Sequence, residues 1–98
     1  MTGTTISSAG LDPRRRRILF RAWHRGTREM DLLMGRFADA HLPTLPEGDV
    51  ADFERLIEVE DPDLFTWIGG QTPPAEHDTA LFRRFRQFHL SGEGLPEI

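Results

Sequence analysis

The apolar residues of this chain recur at the spacing of a helix and nowhere alternate as they do in a strand. Met30, Leu33, Met34 and Phe37 stand at i, i+3, i+4 and i+7, so they predict a helix from about Thr27 to His41 with that face buried. Comparable apolar stripes predict four further helices. These run from about Pro13 to Trp23, Asp49 to Glu58, Asp61 to Ile68 and Pro74 to Phe88.

Helix boundaries are marked by short polar motifs. Asp12-Pro13 and Asp61-Pro62 each combine a capping carboxylate with a proline that suits the first helical turn. Gly69-Gly70 is typical of a helix end. We therefore expect short connections between the predicted helices.

The chain has 98 residues, of which 38% are hydrophobic and 29% are charged, a composition typical of one small globular domain. The fold class that we predict is all-α, a compact five-helix bundle. The helical domain should span residues 12–90, with a flexible N-terminal segment at 1–11 and a flexible C-terminal tail at 91–98. A helical chain of this length leaves little room for a deep active site beside its core.

Residues that would support catalysis or metal binding are scarce. Cysteine is absent, which excludes disulfides and thiolate metal sites. No two histidines are spaced as a metal pair on a helix, and the glycine clusters fit no phosphate-binding motif. The serines lie in the terminal segments, where no base is held beside them. We therefore predict a non-catalytic protein that binds no metal or cofactor of its own.

The expected cellular compartment of the protein is inferred from targeting signals. The N-terminus has no basic start followed by an apolar stretch, as a secretory signal would, and no run of about 18 apolar residues could cross a membrane. The bacterial cytoplasm is the expected compartment.

Charge is unevenly distributed along the chain, although the net charge is only −4. Arginines cluster from Arg14 to Arg28, and carboxylates cluster from Glu47 to Asp63. These blocks are either solvated helix faces or a polarised surface that orients a partner. An alternative function is a small nucleic-acid-binding or regulatory module that uses the Arg14–Arg17 cluster, although four consecutive arginines point around a helix rather than along one face.

The Arg25-Gly26-Thr27-Arg28-Glu29 turn joins the first two predicted helices. Arg25 and Glu29 would lie close together if helical geometry extended through Gly26, and Arg36 continues the same side. A guanidinium, a bare backbone and a carboxylate would then form one contact patch. The other interpretation is an ordinary turn between helices with an exposed ion pair.

Two segments together resemble the flavinylation factors of succinate dehydrogenase, the SdhE family. Arg25-Gly26-Thr27-Arg28-Glu29-Met30-Asp31 is similar to the RGxxE signature of the family, and Glu60-Asp61-Pro62-Asp63-Leu64-Phe65-Thr66-Trp67-Ile68 is similar to its second, acidic motif. The resemblance covers roughly Pro13 to Phe88. His24 and Thr27 depart from the residues that are common in the family, which bears on partner specificity.

This resemblance implies a small, helical, non-catalytic assembly factor. It would bind the flavoprotein subunit of succinate dehydrogenase, or of fumarate reductase, and promote covalent attachment of FAD to that partner. Neither a membrane nor a nucleic acid is an expected partner, and the free protein should be monomeric. The implied partner-binding residues are Arg25, Gly26 and Glu29, with Arg28, Met30 and Asp31 as neighbours and Trp67 and Arg36 as secondary contacts.

Overall fold

A computed structural model describes residues 10–91, which form five α-helices and two short 3-10 helices and contain no strand. The prediction of an all-α chain with five helices is thereby confirmed. The predicted flexible segments lie outside the described residues, except for Gly10, Leu11 and Ser91. The α-helices are α1 (Pro13–Ala22), α2 (Arg28–His41), α3 (Glu47–Ile57), α4 (Asp61–Ile68) and α5 (Ala80–Leu90), and the 3-10 helices are Leu42–Thr44 and Ala75–His77.

The described residues fall into two compact units that meet in sequence between Pro46 and Glu47. In the first unit, α1 packs against α2, and both contact the 3-10 helix Leu42–Thr44. The side chain of Arg15 joins these elements, because its Nη1 donates to the carbonyl oxygen of Leu42 at 2.8 Å. The buried apolar residues of this unit are Leu11, Ile18, Leu19, Ala22, Trp23, Met30, Met34, Phe37, Ala38, Leu42 and Leu45.

In the second unit, α5 packs against α3 and α4, and the 3-10 helix Ala75–His77 contacts α3. The apolar stripes that predict these two helices are buried throughout, and they consist of Val50, Phe53, Leu56 and Ile57 in α3 and of Leu81, Phe82, Phe85 and Phe88 in α5. The buried apolar residues of this unit are Val50, Phe53, Leu56, Ile57, Val59, Leu64, Trp67, Leu81, Phe82, Phe85 and Phe88.

The buried face of α2 differs slightly from the predicted one. Met30, Met34 and Phe37 are buried, but Leu33 is only half-buried, and Gly35 and Ala38 take part in the buried face instead. Small residues at these two positions allow close packing, which hydrophobicity alone did not reveal.

Capping explains why α1 and α4 begin where they do. Asp12 is the N-cap of α1, and its Oδ1 accepts from the backbone N–H of Arg15 at 2.8 Å. That hydrogen bond is the main reason why the pKa of Asp12 lies below its ordinary value of 3.8. The prediction that Asp61 caps α4 is wrong, because Glu60 is the N-cap, without a side-chain hydrogen bond, and Asp61 already lies inside the helix.

The end of α4 matches the prediction from Gly69-Gly70. Gly70 has a φ of +125° and donates to the carbonyl oxygen of Trp67, while Gln71 donates to that of Thr66. This pair of bonds is a Schellman motif, which satisfies the last carbonyls of a helix.

The predicted start of the last helix near Pro74 is wrong. The backbone at Ala75–His77 forms a separate 3-10 helix, and α5 begins at Ala80. Thr79 sets this start, because its Oγ1 accepts from the backbone N–H of Phe82 at 3.0 Å.

Candidate functional site

The turn between α1 and α2 has a backbone that only glycine adopts readily. Helix α1 ends at Ala22, and Gly26 has a φ of +117°, so helical geometry does not continue through the turn. Thr27 then caps α2, and its Oγ1 accepts from the backbone N–H of Met30 at 3.2 Å. The sequence-based option of an Arg25–Glu29 pair along one continuous helix is therefore wrong.

Asp31 holds the turn in place from the first turn of α2. Its Oδ1 accepts from the backbone N–H of Arg25 at 2.5 Å and from that of Gly26 at 3.3 Å. One half-buried carboxylate thus satisfies two successive amides that leave the helical ladder. Asp31, predicted as a neighbour of the contact, consequently acts within the chain as a positioning residue.

A second arrangement anchors the turn through Trp23, the C-cap residue of α1. The indole of Trp23 lies across Gly35, because a Cβ built on that glycine would be 2.2 Å from Cδ2 of the ring. The indole Nε1 donates to Oδ1 of Asp39 at 3.2 Å, and Gly35 and Asp39 are one helical turn apart. Trp23 therefore fits α2 only where a glycine leaves room for it.

Sequence reasoning missed this support and the role of Asp31. A glycine in the middle of an amphipathic helix is a usable signal for close packing, since it weakens a helix without an evident reason. The sequence does not say which side chain fills that space, because Trp23 and Gly35 are twelve positions apart.

The surface of the turn offers a bare backbone and two charges. Gly26, Arg28 and Glu29 are exposed, and no atom lies within 4 Å of a Cβ built on Gly26. Within residues 10–91, the side chains of Arg28 and Glu29 make no hydrogen bond or ion pair. Arg25 is half-buried beside them. A cation and a carboxylate thus closely follow an approachable stretch of main chain.

The structure separates Met30 from this surface, although the resemblance placed it among the contact residues. Its side chain is 1% exposed and belongs to the core of the first unit. A partner could therefore reach Met30 only by disturbing that core, so its side chain serves packing.

The two residues named as secondary contacts differ in position. Arg36 is half-buried on α2, and its Nε has no hydrogen-bond partner in the described part of the chain. Trp67 belongs to α4 in the second unit and is 9% exposed. Its ring meets the edge of Phe82 with centroids 6.1 Å apart, as expected for a core residue.

An aromatic pair next to the turn was not predicted. Phe20 is 64% exposed, and its ring stacks on that of His24 with centroids 4.0 Å apart and planes at 15°. The two are four residues apart, and Nδ1 of His24 lies 2.6 Å from the carbonyl oxygen of Phe20. The i, i+4 spacing of Phe20 and His24 in the sequence is the signal that could have predicted this contact.

The arginine cluster at the start of α1 is partly used for structure. Besides its bond to Leu42, Arg15 contacts the carboxylate of Asp12 through Nε at 3.2 Å. Arg16 and Arg17 are exposed, whereas Arg14 and Arg15 are half-buried. These four side chains therefore do not present one uniform phosphate-binding row.

No helix within residues 10–91 is long and apolar enough to cross a membrane.

Comparisons with known proteins identify relatives of the chain. The profile of the family described as "Flavinator of succinate dehydrogenase" (Sdh5) matches residues 16–89, which include the turn. The "FAD assembly factor SdhE" of Acetobacter pasteurianus is 41% identical over 80 residues, which are 81% of this chain and 73% of that protein. No solved structure gives a significant match.

Two mitochondrial proteins, each named "Succinate dehydrogenase assembly factor 2", are also similar. The one from Dictyostelium discoideum is 33% identical over 82 residues, 83% of this chain and 57% of that protein. The one from Drosophila yakuba is 31% identical over 91 residues, 90% of this chain and 56% of that protein. The chain thus spans little more than half the length of these two relatives. Because the family profile covers most of its residues, the chain belongs to the Sdh5 family, the flavinators of succinate dehydrogenase.

Proposed function

We propose that this chain is an assembly factor that binds the flavoprotein subunit of succinate dehydrogenase and promotes covalent attachment of FAD to it. The observation that carries the proposal is the family match, which spans the Arg25–Glu29 turn and most of both units. The exposed, bare backbone at Gly26 supports the turn as the place of contact.

The roles of the turn residues follow from their chemistry. Gly26 lets the main chain of the partner approach, because no side chain stands above it. Glu29 accepts from a basic group or backbone N–H of the flavoprotein, and Arg28 and Arg25 pair with its carboxylates or carbonyl groups. Asp31, Trp23 and Gly35 hold this turn in shape without touching the partner.

The bond-forming chemistry belongs to the flavin and to the acceptor histidine of the partner. The chain itself is non-catalytic in this proposal and binds no cofactor. Its contribution is to favour a flavoprotein conformation in which the two reacting groups lie close together. The free protein is a cytoplasmic monomer, and the flavoprotein of fumarate reductase is a second client.

The test is co-expression of the chain with the flavoprotein subunit, with covalent flavin measured by fluorescence in denaturing gels. Two variants at Gly26 distinguish the effect of backbone strain from the effect of side-chain size. Gly26→Ala and Gly26→Arg share the backbone strain of a positive φ, which costs about 1–3 kcal/mol. Only arginine adds a long side chain where a partner would approach.

Since a Cβ at Gly26 meets no atom within 4 Å, the two variants should lose similar amounts of stability. We expect Gly26→Arg to abolish flavinylation above background and Gly26→Ala to retain a larger share of it. Equal flavinylation by wild type and a folded Gly26→Arg variant would show that the turn does not contact the flavoprotein.

A further inference from the structure

The second unit contains a cleft that the proposed contact does not use. It has a volume of about 300 Å³ and lies between the end of α3, the start of α4 and the 3-10 helix Ala75–His77. Trp67 and His77 form an aromatic part of its wall, with ring centroids 5.4 Å apart.

The cleft is strongly acidic. Four carboxylates line it, from Glu58, Glu60, Asp63 and Glu76, against the single guanidinium of Arg55, which is itself paired with Asp52 outside the cleft. Apart from His77, the lining carries four negative charges and one positive charge, a net −3. Within the described residues, the side chains of Glu60, Asp63 and Glu76 form no ion pair or hydrogen bond.

The indole of Trp67, which lines the cleft, offers a hydrogen-bond donor to an occupant. Trp67 is about nine-tenths buried, yet its indole N–H makes no hydrogen bond within residues 10–91. The other tryptophan, Trp23, satisfies its N–H with Asp39. Solvent reaches Nε1 of Trp67, so an acceptor that enters the cleft can take the place of a water on the indole N–H.

These features select one kind of occupant. A free anion is excluded by the surplus of carboxylates, which outweighs the partial positive charge at the start of α4. No three His, Asp or Glu side chains of the described residues lie close enough to hold a metal ion. An arginine or lysine within a peptide offers both a cation for the carboxylates and the aromatic faces, and a backbone carbonyl for the indole.

We propose that this cleft binds a basic residue of the flavoprotein, as a second contact in addition to the one made by the Arg25–Glu29 turn. The cation lies among Glu60, Asp63 and Glu76 and against Trp67, and a neighbouring carbonyl oxygen accepts from the Trp67 indole. The choice of partner rests on the proposed function, whereas the ligand chemistry rests on the cleft alone.

The chemistry is tested first, without the flavoprotein. Acetyl-Gly-Arg-Gly-amide is titrated into the ¹⁵N-labelled full chain, and the two indole N–H signals are followed by NMR. The Trp67 signal should shift and saturate at millimolar peptide, while the Trp23 signal stays in place as an internal control. The uncharged analogue acetyl-Gly-citrulline-Gly-amide should shift neither. No saturable Trp67 shift, or the same shift with citrulline, would overturn the proposal.

Charge-matched variants assign the effect to the cleft. Glu60→Gln with Asp63→Asn removes two lining carboxylates and should weaken peptide binding about tenfold. Asp49→Asn with Asp61→Asn removes two carboxylates from the first turns of α3 and α4 that do not line the cleft, and its Kd should stay within about twofold of wild type. Equal weakening by both pairs would mean that net charge alone binds the peptide.

The partner is tested by measuring the affinity of the same variants for the isolated flavoprotein subunit. We expect the cleft variant to bind about tenfold more weakly than the control pair. Equal affinities would overturn the second contact and leave docking by the turn intact. Failure of the wild-type chain to bind the flavoprotein would instead refute the proposed function, while the peptide titration would still report on the cleft.

Discussion

Replacing Gly35 with alanine adds one methyl group where the indole of Trp23 packs closely on α2. The added Cβ would lie 2.2, 2.4 and 2.7 Å from three atoms of the Trp23 indole. Carbon atoms in contact prefer about 3.5–4.0 Å, so the ring has to retreat by roughly 1.5 Å. That movement also breaks the 3.2 Å bond from the indole to Asp39.

The size of the effect follows from three contributions. Overpacking costs about 1–3 kcal/mol and the lost hydrogen bond about 1 kcal/mol, while alanine regains about 1 kcal/mol of helix propensity. The free energy of unfolding should therefore fall by about 2 kcal/mol. For a chain of this size, that corresponds to a decrease in Tm of about 8–16 °C.

Urea and thermal unfolding followed by circular dichroism measure this change. Gly48→Ala is the matched control, because Gly48 lies in α3 and its Cβ would meet no atom within 4 Å. That variant should be as stable as wild type or slightly more stable. Wild-type stability in Gly35→Ala would refute the packing of Trp23 on α2.

A double-mutant cycle identifies the clashing group. In a Trp23→Phe background the smaller ring leaves room for the methyl group, so Gly35→Ala should cost at least about 1 kcal/mol less there. An undiminished cost would place the clash elsewhere.

Three further substitutions test local interactions by thermal unfolding. Asp31→Ala leaves two backbone N–H groups of the turn without their acceptor, so it should destabilise the fold by about 1–3 kcal/mol and lower flavinylation. Asp31→Asn keeps one acceptor oxygen and should cost less stability. Equal effects of the two variants would show that Asp31 is not the acceptor. Thr79→Ala should cost about 1 kcal/mol by removing the cap of α5, and no change in Tm would contradict that role. Because the pKa of Asp12 is lowered in the folded chain, its stabilisation is present above pH 3.8 and is lost as the pH falls through the lower folded value. Asp12→Asn should therefore show a shallower loss of Tm than wild type on acidification, and identical profiles would contradict this.

Much of the fold could be predicted because its helices are set by local patterns. The apolar spacing and the Gly69-Gly70 stop give α4 with its observed bounds, Asp61–Ile68. Asp12 and Thr27 cap α1 and α2, as a short polar side chain before an apolar stripe indicates. The start of α5 was predicted wrongly because two helix-start signals compete there. Pro74 suits the first turn of a helix, but Thr79 supplies the cap.

The internal geometry of the candidate site could not be predicted in the same way. The resemblance names Gly26 and Glu29, but it does not reveal that Asp31 turns back to the amides of Arg25 and Gly26. That bond depends on a positive φ at one residue, which periodicity does not encode. Likewise, the acidic cleft brings together residues from three separate segments of the second unit, and only the folded arrangement places Trp67 among them.

Binding of the purified flavoprotein subunit to the immobilised chain tests the central claim most directly. The wild-type chain should retain the flavoprotein, and the same amount of folded Gly26→Arg should retain none above the resin background, while Gly26→Ala retains an intermediate amount. Equal retention by wild type and Gly26→Arg, or no retention by the folded wild-type chain, would contradict the account.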